Sequence, residues 1–172
     1  MNIFYVDKCP ITAAQIQCDK HVVKMTLESA QMLSTVHHLA GSSEDVLSNI
    51  YKPTHAKHPS TLWAYESAAN YDWLCLHGMA LAHEWSYRFH RADNSHHASK
   101  RVIWYCMFNR PNLRGDTLTP MPQCMPDEYK AECSVEAYRH FYNVDKRYNM
   151  TCEWTRRQEP DWWRGYEPFL HS

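Results

Sequence analysis

Residues 15–31 read QIQCDKHVVKMTLESAQ, from Gln15 to Gln31, and this stretch decides the fold. It holds no Gly or Pro, is rich in helix formers, and runs on in the same pattern to about Val36. At 100° per residue, Gln17, Lys20, His21, Lys24, Glu28, Gln31 and Thr35 fall on one stripe. Ile16, Val22, Val23, Met25, Leu27, Ala30, Leu33 and Val36 cover most of the rest. A helix apolar over so much of its girth is expected to be enclosed by other helices. Its polar stripe then faces either bulk water, as an ordinary charged face, or a cleft. Lys20, His21, Lys24 and Glu28 set an imidazole and a carboxylate among ammonium groups, the mixture that acid–base chemistry uses. Asp19 points into the middle of the apolar face, where an unpaired carboxylate is costly. It reads either as a functional acid or as a structural one, paired with a buried Arg or capping a neighbouring helix.

Upstream, Met1 to Val6 (MNIFYV) is a short apolar run with no strand partner in view. It reads as an extended arm packed into a helical body. Pro10 and Thr12 open the first helix, with Thr12 as N-cap, and the helix runs out near His38 before a Gly41–Ser43 loop. A short helical turn is expected within 45–51. The loop THAKHPST, residues 54–61, carries His55 and His58 beside Pro59; these read as phosphate contacts, as a metal pair, or as exposed loop histidines. Ser60 looks like the cap of a long second helix reaching Phe89, with a core stripe that includes Trp63, Trp73 and Trp85. A third helix covers 99–108. Residues 109–130, with four prolines, read as a long ordered loop that packs down. Ser134 reads as the cap of a fourth helix, SVEAYRHFYNVDKRYN.

Composition narrows the function classes. The 172 residues include 7 Trp, 11 Tyr and 12 His but only 4 Gly, with neither GxGxxG nor a P-loop, which disfavours a nucleotide fold built on Gly-rich turns. Net charge is −1, so nucleic-acid binding has to come from a local patch. Seven scattered cysteines, never spaced as CxxC, suit free thiols in a reducing cytoplasm. No signal peptide or membrane-length apolar run is present, and no metal or cofactor is called for. A single domain spanning 1–172 is the simplest organisation.

Two stretches supply candidate phosphate and base contacts. From Arg88 to Arg114 the chain is basic, with Arg91, Lys100, Arg101 and Arg110 opposed by Asp93 alone; this reads as a phosphate-tracking surface or as a solvated face. The tail WTRRQEPDWWRGYEPF, residues 154–169, alternates Trp154, Trp162, Trp163 and Tyr166 with Arg156, Arg157 and Arg164. That pattern suits stacking on unpaired bases while guanidinium groups hold phosphates. It equally suits a clasp that locks onto the body.

The order of these features resembles the phage-type pyrimidine-dimer DNA glycosylases of the endonuclease V kind. The likeness is carried by Ala13-Ala14-Gln15 at the first helix, His58-Pro59 before the second, Tyr87-Arg88-Phe89 at its end, and Pro160-Asp161-Trp162-Trp163 in the tail. The CDKHVVKM stretch, Cys18 to Met25, is similar to one shared by uncharacterised phage proteins, and this second likeness is closer than the first. The resemblance implies a compact, mostly helical domain with its N-terminus threaded between helices. It also implies base excision by an N-terminal α-amine and a first-helix glutamate, followed by β-elimination, on a nucleotide flipped from the stack. At the critical points this chain departs from that pattern. Asn2 is bulky enough to hinder removal of Met1, and Val22 and Val23 stand where the family has its Arg-Glu pair. Asp19 and Glu28 are the nearest replacements, so no reaction at the α-amine is expected.

The reading is therefore a mostly α, compact helical bundle with an extended N-terminal arm and long ordered loops. It is expected to act on DNA or a nucleotide inside a phage-infected bacterial cell, most concretely as a base-excising N-glycosylase. His21, Glu28, Asp19 and Lys24 are the candidate catalytic groups. Lys20, His55, His58, Arg88, Arg156, Arg157, Trp162, Trp163, Arg164 and Tyr166 are the candidate binding groups. A non-enzymatic nucleotide or modified-base binder, or a protein-interaction module, would use the same residues.

Overall fold

The protein is described by a computed structural model over residues 1–90 and 95–163. Arg91, Asp93, Arg164 and Tyr166 lie outside the described residues. Helices are α1 Pro10–Gln15, α2 Asp19–Leu39, α3 Glu44–Leu47, α4 Pro59–Glu66, α5 Ala68–Phe89, α6 Lys100–Phe108 and α7 Ser134–Phe141. A π-helical stretch, Tyr142–Lys146, and the short α8, Arg147–Asn149, continue α7, and a 3₁₀ turn covers Asp127–Tyr129. No strand occurs among the described residues. The centre is α2 against α5, with α1, α4 and α6 packed on that pair.

The expected enclosure of α2 is met on most of its surface. Val22, Met25, Ala30, Met32, Leu33 and Val36 are all buried. Val23 and Leu27, placed in the core by periodicity, are instead about 40% exposed, at 41% and 40%. The apolar girth is narrower than the sequence suggests, and one strip of α2 is left open. Gly78 on α5 allows the close approach: a Cβ there would stand 3.1 Å from the Cβ of Ser29 and 3.2 Å from Cδ1 of Ile103.

Two expected long helices are each broken in two. The first stops at Gln15 and restarts at Asp19, because distant groups satisfy the backbone of the intervening turn. Arg88 donates to the carbonyls of Gln15 (2.8 Å) and Gln17 (2.9 Å), and the indole of Trp154 donates to that of Ile16 (2.9 Å). The hydroxyl of Tyr142 accepts from the Cys18 N–H at 3.1 Å, and the Glu153 carbonyl accepts from that of Asp19 at 2.8 Å. Thr12 lies inside α1 and is not its cap; Cys9 holds that position with Pro10 as the first helical residue. The second break is at Ser67, whose extended backbone ends α4 and whose hydroxyl caps α5 by accepting from Asn70 N–H at 3.1 Å. His58, rather than Ser60, caps α4, and Cys133, rather than Ser134, stands at the N-cap of α7.

The arm behaves as read. Ile3, Phe4 and Val6 are buried, and Arg139 of α7 donates to the Val6 carbonyl at 2.9 Å. The 109–130 loop packs down through Met121, and Trp63 donates to its Thr119 carbonyl at 3.1 Å.

Candidate active site

The arm delivers the N-terminus to α2. Glu28, 7% exposed, accepts from the Asn2 N–H through Oε2 at 2.9 Å, and the same oxygen lies 3.7 Å from the α-amine of Met1. Its other oxygen lies 3.7 Å from Nζ of the exposed Lys24, one turn earlier. One carboxylate therefore holds two amine groups at the mouth of a buried arm.

Asn2 is fixed as a joint. Its Nδ2 donates to the Cys124 carbonyl at 3.0 Å, while its Oδ1 accepts from the Tyr138 hydroxyl at 2.9 Å and the Ile3 N–H at 2.8 Å. The Met1 side chain is 3% exposed and packs on the core. The amine is thus located at both ends: by burial of its own side chain and by the anchored residue behind it.

The His-Pro loop closes another side. The Thr35 hydroxyl joins it to α2 through both the N–H and the carbonyl of Thr54, each at 3.0 Å. His55 sits at φ 48°, a left-handed conformation that is costly outside glycine. His58 accepts from the Ser60 N–H through Nδ1 at 3.1 Å, which leaves the proton on Nε2. Partial burial lowers its pKa most, and the Met1 ammonium and His55 lower it further, with Glu28 opposing them. Met1, Lys24, Glu28, His55 and His58 thus form one electrostatic neighbourhood.

His21, expected on the same polar stripe, does not join them. It is 6% exposed, stacked on Phe4 at 4.0 Å between ring centres, with Nδ1 against the Tyr142 hydroxyl. Burial, with Lys146 and Lys24 nearby, pushes its pKa down to about 3, so it is a neutral core residue near pH 7. Lys20 is exposed on the same helix.

Asp19 and Arg88 are engaged elsewhere. The Arg88 side chain is fully buried and donates to Asp19 at 2.9 Å and Glu84 at 3.0 Å. Asp19 also accepts from the Thr155 N–H at 3.0 Å and the Thr155 hydroxyl at 2.6 Å. This is the structural alternative, an acid paired with a buried Arg. Arg88 is accordingly withdrawn from any phosphate-tracking surface, because its donors are spent on backbone and carboxylates inside the molecule.

The tail residues are held on the body. Arg157 pairs with Glu84, and Arg156 lies over the Tyr87 ring at 3.9 Å while donating to the Tyr87 carbonyl. Trp162 and Trp163, half-buried, meet Tyr142 edge-on, and Arg147 covers Trp163 at 3.9 Å. Sequence reasoning gathered Lys24, Glu28, His55 and His58 as candidates and named the α-amine, but expected that amine to be idle and did not bring Glu28 to it. The signal was the apolar arm: six residues that have to be buried must carry the chain's start into the body.

The helical body thus seats its α-amine against a helix-borne carboxylate. The sequence model for the pyrimidine dimer DNA glycosylases matches residues 1–97, a span that takes in the arm, Glu28 and the His-Pro loop. The chain belongs to the pyrimidine dimer DNA glycosylase family. No curated protein and no solved structure matches it.

Proposed function

We propose that the protein is a DNA N-glycosylase with an associated lyase step, and that its nucleophile is the α-amine of Met1 paired with Glu28. The observation that carries this reading is the single carboxylate oxygen shared by the Met1 amine and the Asn2 N–H. The expectation of an idle amine rested on the retained Met1 and on a missing glutamate in register; Glu28, further along α2, stands 3.7 Å from the Met1 amine.

The chemistry follows from the placement. The neutral amine attacks C1′ of the target nucleotide, the C1′–N glycosidic bond breaks, and the base leaves with the bonding pair and takes up a proton. Glu28 accepts the proton that the amine sheds and faces the positive charge that develops on the sugar. The nitrogen lone pair then expels the sugar-ring O4′, which takes up the proton held by Glu28, and a Schiff base at C1′ results. Loss of a C2′ proton then expels the 3′ phosphate and nicks the strand. Lys24, with its side chain 68% exposed, suits a flanking phosphate, and His58 offers its Nε2 proton from the other side. Met1 keeps its place because the bulk of Asn2 hinders its removal.

The test is borohydride trapping on a duplex carrying a cyclobutane pyrimidine dimer or an abasic site. A covalent adduct is expected on the peptide that begins at Met1. Glu28→Gln is expected to keep DNA binding while cleavage falls at least about a hundredfold. An adduct mapped to Lys24, or a glycosidic bond cleaved with no adduct at all, would remove the amine from this role.

A further inference from the structure

α6 lies beyond the span matched by the family and carries an exposed stripe of its own. Arg101, Trp104 and Phe108 follow one another at helical spacing on its outer face. Trp104 is 50% and Phe108 64% exposed, with their rings 4.8 Å apart. A groove of about 390 Å³ runs beside them, lined by His96, His97, Ala98, Lys100, Arg101 and Trp104. From residue 95 to residue 115 the sequence holds Lys100, Arg101, Arg110 and Arg114 and no carboxylate. Arg110 pairs with Asp72, whereas Lys100 and Arg101 stand at the groove.

The groove is tied to the strip of α2 that periodicity failed to bury. His97 accepts from the Ser99 N–H through Nδ1 at 3.1 Å, and the Val23 backbone beside it opposes the lowering of its pKa by burial. Val23 and Leu27 are exposed apolar residues of α2, and Lys20 and Lys24 flank them. From Val23 to Glu28 is about 7.5 Å of helix rise. A cationic and apolar surface thus leads from the Met1–Glu28 pair across α2 toward the α6 groove.

We infer that this groove is a second DNA contact, in which Trp104 stacks on an unpaired base next to the processed nucleotide while Lys100 and Arg101 hold the neighbouring phosphates. An exposed indole beside two cations, with no carboxylate between them, matches a base with its phosphate in both shape and charge. The inference rests on the DNA-acting reading above and adds to it where the strand goes.

The test uses the full chain and a duplex bearing a stable abasic analogue that cannot be cleaved. Trp104→Ala is expected to weaken binding about ten- to a hundredfold, with a smaller loss on the fully paired duplex, and with the melting temperature held because the ring is half in solvent. Arg101→Ala is expected to lower the slope of log affinity against log salt by about one. If both variants bind as the parent does, while the parent binds and cleaves, the groove is not a DNA contact and the reaction-centre proposal stands. If the parent and Glu28→Gln both fail to bind any DNA, the parent reading fails and takes the groove with it. If Trp104→Ala leaves DNA affinity unchanged but alters the sedimentation of the protein, the stripe is a protein interface and the inference is overturned.

Discussion

At the scale of single residues, neighbours on one polar stripe have taken opposite roles. His21, Lys24 and Glu28 differ in what the rest of the chain brings to them. Phe4 and Tyr142 enclose His21, the N-terminus meets Glu28, and solvent meets Lys24. The same logic makes Arg88 the most stability-critical cation described. It is fully buried between two carboxylates and two carbonyls. Replacing one partner of a buried ion pair leaves uncompensated charge behind, at a cost of about 3–5 kcal/mol. Arg88→Met is therefore expected to lower the unfolding free energy by about that amount in a urea titration. Lys20→Met, on an exposed side chain, is expected to change it by no more than about 0.5 kcal/mol. Equal effects of the two would refute the assignment of Arg88 to the interior.

At the scale of elements, the helical class, the arm and the packed-down loop were legible from periodicity and composition. The helix breaks were not. Ile16–Cys18 contains no Gly or Pro, and the turn forms only because Arg88, Tyr142 and Trp154 arrive from elsewhere to take its backbone groups. Long-range partners of that kind leave no local trace. For the candidate site the stripe on α2 and the His-Pro loop could be read. Their meeting with the amine could not, because Asn2 is set by Tyr138 and Cys124, more than 120 residues away. The packing of α5 gives an element-level prediction. Gly78→Val places methyl groups where Ser29 and Ile103 already stand within 3.3 Å of the position a Cβ would take. Overpacking of this kind costs about 1–3 kcal/mol, so the melting temperature is expected to fall by several degrees. A rise would mean that α5 can move off α2 and α6 at little cost.

At the scale of the whole molecule, buried imidazoles set the acid limit. Burial lowers the pKa of His21 to about 3 and of His77 to about 4, against about 6.5 in an unfolded chain. Below pH 6.5 the unfolded state binds the protons that the folded state refuses. Stability from these groups is therefore complete above that value and is lost as pH falls toward 3–4. Each contributes a slope of up to about 1.4 kcal/mol per pH unit in that window. Denaturation midpoints are expected to fall steadily from pH 6.5 to pH 4.5 and to fall less steeply in His77→Asn. A flat profile over that range would show that these rings titrate freely in the fold.

The tethering of Asn2 by Tyr138 also has a consequence in time. A ribosome releases residue 2 well before residue 138, 136 positions later, at roughly 5–20 residues per second. For several seconds at least, the start of the nascent chain has no pocket to enter. Whatever N-terminal processing acts on that end acts before the fold can shield it. The identity of residue 2, and not the burial of Met1, decides which amine is there to be seated.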